Sequence, residues 1–94
     1  MDKVLEFINE PINYITDPGH GWIAIPMEIL IELGIDIKMS SCSYKRKGIA
    51  YLEEDCDAGL FIDTIKNRYD DKVKLKFNQR HQDDESIIRT FDRF

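Results

Sequence analysis

The chain has no apolar run long enough to cross a membrane: stretches such as Ile29–Ile31 fall far short of the roughly 20 residues that a spanning helix needs. An apolar leader is missing too. Asp2 and Glu6 interrupt the N-terminus, so a cytoplasmic chain in a reducing compartment is expected, with Cys42 and Cys56 as free thiols. No Cys-x-x-Cys or His-x-x-x-His pair links these cysteines with His20 and His81, which removes the usual half-site for zinc and leaves no metal or other cofactor implied. Glycine is scarce, and no Gly-rich run opens a helix in the manner of a phosphate-cradling loop. Internal repeats and low-complexity linkers are absent. Ninety-four residues leave no room for a second core, so a single domain over 1–94 is expected.

Positive charge is scarcest in the first part of the chain. Residues 1–36 hold seven acids and one base, Lys3, whereas residues 37–94 hold eleven acids and twelve bases. The net charge of −5 is therefore entirely N-terminal. This argues against direct nucleic-acid binding, because a general phosphate-binding face must be positive. An acidic end can steer a basic partner, or simply keep the chain soluble. Apolar residues make up 43% and aromatics 11%, enough for a modest core.

The element pattern predicts an α+β domain. Val4, Leu5 and Ile8 have helical spacing that Pro11 ends, giving a short N-terminal helix or docked extension. After Tyr14-Ile15-Thr16, the run Asp17-Pro18-Gly19 is a turn. Asp17 accepts from the backbone ahead, Pro18 presets φ and Gly19 tolerates positive φ. A strand follows at Trp22–Ile25, and Pro26 opens a helix with Met27, Leu30 and Ile31 on one face, stopped by Gly34. Ile37–Tyr44 and Ile49–Leu52 read as a hairpin across the basic turn Lys45-Arg46-Lys47-Gly48. A second helix, capped by Asp55 or Asp57, carries a stripe of Leu60, Phe61, Thr64, Ile65 and Tyr69. Lys72–Phe77 alternates lysine with Val73, Leu75 and Phe77, the cleanest strand pattern in the chain. Ile87, Ile88, Phe91 and Phe94 dock the tail as a short helix or an extended arm. The order β-α-β-β-α-β, with extensions at both ends, implies a small, mostly antiparallel sheet with two helices on one face, compatible with a ferredoxin-like split βαβ.

Two stretches carry candidate chemistry. His20 lies between glycines on an open loop where Asp17 can orient it for acid–base work; no nucleophile stands nearby, so a purely structural turn competes. Glu53-Glu54-Asp55-Cys56-Asp57 places four acids in five residues, which can start a helix, hold a hard cation, or meet Arg and Lys of a partner. The alternating acids, central Gly and final Glu of a calcium loop are absent. Cys56 among acids has its thiolate disfavoured, and Cys42 reads as a packing residue on a strand, so no cysteine nucleophile is expected. Lys45–Lys47 and Lys72, Lys74 and Lys76 would merge into one patch beside Tyr44 and Tyr51 if the hairpin packed against the last strand.

Asp17-Pro18-Gly19-His20-Gly21-Trp22, Pro26, Leu33-Gly34-Ile35, Ser43-Tyr44 and Tyr51-Leu52-Glu53-Glu54-Asp55-Cys56-Asp57 resemble a group of short proteins encoded in phages, plasmids and other bacterial mobile elements. The resemblance runs over residues 15–62, with a weaker echo at Ile87–Arg89, and transfers no catalytic residue. It implies a setting: a small accessory protein in a bacterial host cell, acting against host defences. With the charge pattern, this gives the expectation of a non-enzymatic, protein-binding inhibitor of the anti-CRISPR kind. Candidate partner-binding residues are Glu53, Glu54, Asp55, Asp57, Asp17, His20, Glu28 and Glu32. The candidate partner is a host protein such as a nucleic-acid-binding defence complex, and self-association stays open. The alternative is a small hydrolase or metal-assisted enzyme using Asp17, His20 and the 53–57 carboxylates. It requires the two motifs to meet, since catalytic partners lie within hydrogen-bond or one-water reach.

Overall fold

Two strands of β-branched and aromatic residues flank the Asp17-Pro18 turn and organise the rest. In the computed structural model, which describes residues 2–94, these are β1 (Ile12–Thr16) and β2 (Gly21–Pro26), paired antiparallel with Tyr14 opposite Ile23. Side chains alternate across a strand, so Ile23 and Ile25 enter one core while Trp22 enters another. Helices α1 (Lys3–Ile8), α2 (Met27–Leu33) and α3 (Asp57–Tyr69) supply the first core with Val4, Ile8, Ile29, Leu30, Phe61 and Ile65. In the second, Trp22 and Tyr44 pack with Ile88 of the C-terminal tail, with Ile15, Tyr51 and Phe91 around them. Burial on both faces explains why β2 has almost no polar side chains.

The sheet adds β3 (Tyr44–Arg46), β4 (Ile49–Glu53), β5 (Phe77–His81) and β6 (Asp92–Arg93), in the order β5-β1-β2-β4-β3-β6. β1 and β5 pair in parallel, and the other neighbours are antiparallel. The α+β class and the mostly antiparallel sheet are as the sequence implies, and the N-terminal extension takes its helical form as α1, beside α2 and α3. The ferredoxin-like order is not adopted. A split βαβ needs a parallel pair after its crossover, whereas the chain returns through seven-residue α2 as a hairpin, β3–β4, that meets β2 antiparallel.

Several local expectations change. Lys72–Phe77 is not a strand: a 3₁₀ turn over Asp70–Lys72 leads into an irregular stretch, and the ladder starts only at Phe77. The alternation there marks depth, with Val73 and Leu75 half-buried against the helical core and the lysines wet. Ile37–Tyr44 is not extended either. A 3₁₀ turn over Asp36–Lys38 leaves Ile37 85% exposed, and β3 is three residues long. The hairpin turn is Lys47-Gly48, both at positive φ (49° and 81°), the two-residue geometry whose twist fits antiparallel strands. The two lysine groups sit toward opposite edges of the sheet and form no common patch. On α2, Ile29 and Leu30 are buried while Ile31 is exposed, and Gly34 ends the helix at φ 73°. The tail adopts both expected forms in turn, a 3₁₀ segment over Ile87–Thr90 capped by Ser86 and then β6.

Phe61 is fully buried among the helices, so Phe61→Ala should lower stability in urea titration by about 3–5 kcal/mol. Ile37→Ala, at an exposed site, should change it by less than about 0.5 kcal/mol.

Candidate functional site

The turn between β1 and β2 is built around Asp17, whose side chain has no exposed surface. Its Oδ1 accepts from the backbone N–H groups of Gly19 (3.0 Å) and His20 (2.9 Å), the Asx turn that the sequence predicts. The rest of its capacity goes to the tail. Ser86 N–H donates to Oδ2 at 2.8 Å, and Arg89 closes a two-pronged pair through Nε (2.7 Å) and Nη2 (2.9 Å). The Arg89 guanidinium holds the Asp17 carboxyl far below the usual carboxylate range, against the opposing effect of burial. Gly19 makes this approach possible, since a Cβ there would stand 2.8 Å from Arg89 Nη2. Asp17 thus shapes the loop that carries His20; the imidazole takes its partner elsewhere.

That partner is Glu53. The register of β2 against β4 sets Trp22 opposite Glu53, and Gly21 then carries the chain back to His20. The buried Glu53 carboxylate accepts from His20 Nδ1–H at 3.2 Å and from the Asp55 N–H at 2.7 Å. Donation from Nδ1 is the tautomer this contact assigns to a neutral ring, and it leaves Nε2 as an acceptor. The ring is about half exposed and lies tilted against Trp22, centroids 5.9 Å apart. The two sequence motifs therefore meet. Around them opens a cleft of about 340 Å³, walled also by Asp55, Cys42, Cys56, Tyr44 and Arg93.

The other candidate acids divide by burial. Asp57 is buried and accepts from Ser40 N–H (3.0 Å), Ser40 Oγ (2.9 Å) and Ser43 Oγ. It spends its carboxylate on the 40–43 turn, and the cap position of α3 falls to Cys56, with no side-chain bond, in place of Asp55 or Asp57. Glu54 accepts from the Tyr14 hydroxyl, which pushes that phenol up to about 12. Asp55 is exposed on the cleft wall. Glu28 and Glu32 are exposed on α2, which leaves β2 at the end away from the cleft, and neither lines it. Glu53, Glu54 and Asp55 each bring an oxygen within 4.8 Å of the others. Glu53 and Glu54 already accept hydrogen bonds there, and Asp55 takes part through its backbone N–H.

Sequence reasoning missed Arg89, Ser86 and the serines 40 and 43, which hold the acids in place. It also misplaced Cys42, which is exposed on a turn beside Cys56 rather than on a strand. The Cys56 thiol is pushed up to about 12, first by its contact with Cys42, then by burial and by Glu53. That disfavours a thiolate and leaves the His20–Glu53 pair without an activated nucleophile at Cys56.

Because the Asp17 carboxyl is depressed in the folded chain, its contribution to stability is present above its unfolded value near 4 and drains away as pH falls further. Asp17→Asn should lower Tm at neutral pH by roughly 10 °C or more, and the Tm gap to the unaltered chain should shrink on acidification below about pH 4. Thermal melts across the acid range check both. Comparison of the chain with protein-family models, with curated proteins and with solved structures gives no match, so the reading of this cleft rests on its own residues.

Proposed function

We propose that the chain is a non-catalytic binding protein whose cleft receives a basic side chain of a protein partner. The observation that carries this is the division among the acids: Asp17, Glu53 and Asp57 are consumed inside the fold, while Asp55 stays exposed beside His20 in an open cleft. A buried acid already bonded within the fold is poorly placed to meet a partner, whereas an exposed one beside low-dielectric walls attracts cations. Trp22 and Tyr44 supply such walls. The resemblance to phage and plasmid proteins supports an accessory role against host defences. A nucleic-acid-binding complex, rich in the Arg and Lys that hold phosphates, would offer the basic side chains the cleft accepts.

The His20–Glu53 pair at 3.2 Å favours a second reading, a small hydrolase with His20 as general base. Ester or phosphoester turnover that vanishes in His20→Ala would establish it and displace the binding reading.

The binding reading is tested by titrating isotope-labelled chain with short Arg- and Lys-containing peptides. Amide shifts should saturate at His20, Asp55 and Cys56, and affinity should fall at least about tenfold in Asp55→Lys with the fold retained. Shifts confined to α2, or affinity unaltered in Asp55→Lys, would contradict it.

A further inference from the structure

Cys42 and Cys56 belong to segments that the fold locks together. Cys42 sits on the turn over residues 40–43, where its N–H donates to Ser40 Oγ at 3.2 Å. Cys56 immediately precedes α3, whose first residue, Asp57, accepts from Ser40 N–H, Ser40 Oγ and Ser43 Oγ. Ser43 is fully buried, and its Oγ in turn accepts from the Glu53 N–H at 3.1 Å. The residues on both sides of each cysteine are therefore fixed to one another, while both cysteines stay exposed on the wall of the same cleft. Among the described residues, neither thiol falls in any set of three ligand atoms within 4.8 Å of one another. Two reachable thiols in contact on one cleft wall, without a third ligand, suit sulfur–sulfur chemistry better than a metal.

We propose that Cys42 and Cys56 form a dithiol site that low-molecular-weight disulfides oxidise to an intramolecular disulfide on the cleft wall. Cys42, flanked by serines, attacks first; Cys56, between Asp55 and Asp57, resolves. The Cys42 thiolate attacks one sulfur of the disulfide RSSR, forming a Cys42–SR bond and releasing RS⁻. Cys56 then loses its proton to solvent and attacks the Cys42 sulfur, releasing the second RS⁻. The two cysteines are oxidised by two electrons, and RSSR is reduced to two RSH. The site stands independently of the partner reading above.

The full-length chain, incubated with oxidised glutathione in mildly alkaline buffer and quenched with an alkylating reagent, tests this by intact mass. Both thiols should disappear together, with a mass loss of about 2 Da, a monomeric product and full reversal by dithiothreitol. Cys56→Ser should stop at the mixed disulfide on Cys42, and Cys42→Ser should react with oxidised glutathione more slowly than Cys56→Ser and form no closed product. In denaturing urea the ratio of closed to glutathione-bound chain should fall at least about tenfold, because the fold supplies the alignment. Stable glutathione adducts on the unaltered chain, disulfide-linked dimers, both thiols remaining open to alkylation, or an unchanged ratio in urea would each overturn the proposal.

Discussion

The carboxylate of Asp17 takes five hydrogen bonds from two stretches of chain that lie far apart in sequence: Gly19 and His20 in its own turn, Ser86 and both prongs of Arg89 in the tail. A charge without exposed surface is costly unless its capacity is filled, and here it is. The consequence is architectural. The tail is drawn onto the Trp22 face, where Arg89 also lies 5.7 Å over the Trp22 ring and Ile88 enters the second core. Phe94 N–H then reaches the Ser43 carbonyl at 3.2 Å, and β6 extends the sheet beyond β3. The same carboxylate holds the loop from which His20 reaches Glu53.

A few acids in this chain serve as internal fastenings. Asp2 caps α1 through Val4 and Leu5 and accepts from Tyr69 at the end of α3. Asp57 joins α3 to the 40–43 turn, and Glu53 joins His20 to the residues ahead of α3. Most of the remaining acids, among them Glu6, Glu10, Glu28, Glu32 and Asp63, stay exposed around the surface and away from the cleft. Among the described residues, Asp55 is the acid that combines exposure with a place on the cleft wall.

Local chemistry was legible in the sequence where a few neighbouring residues decide the outcome. Asp17 in its turn, Gly34 at a left-handed helix end and the Phe61–Ile65 stripe are of this kind, and all three form as read. Periodicity misled at Lys72–Phe77, because alternation reports which side chains are sheltered and says nothing of whether a neighbouring strand is present to pair. The motifs at 17–22 and 53–57 were visible as candidates; their meeting depends on the β2–β4 register, which neither motif encodes. Arg89 was invisible as a partner for Asp17 because nothing local distinguishes one arginine in a polar tail from another. The same holds for Ser40 and Ser43, whose importance comes from Asp57 on a different element.

If one carboxylate joins turn and tail into a unit, their backbone amides must open together. Native-state hydrogen exchange at Gly19, His20 and Ser86 measures this directly in the unaltered chain and in Arg89→Ala. All three amides should lose protection together, by at least about tenfold, while Phe61 and Ile65 in α3 keep theirs. Loss confined to Ser86, with Gly19 and His20 unchanged, would show that the turn stands without the tail and would contradict the account.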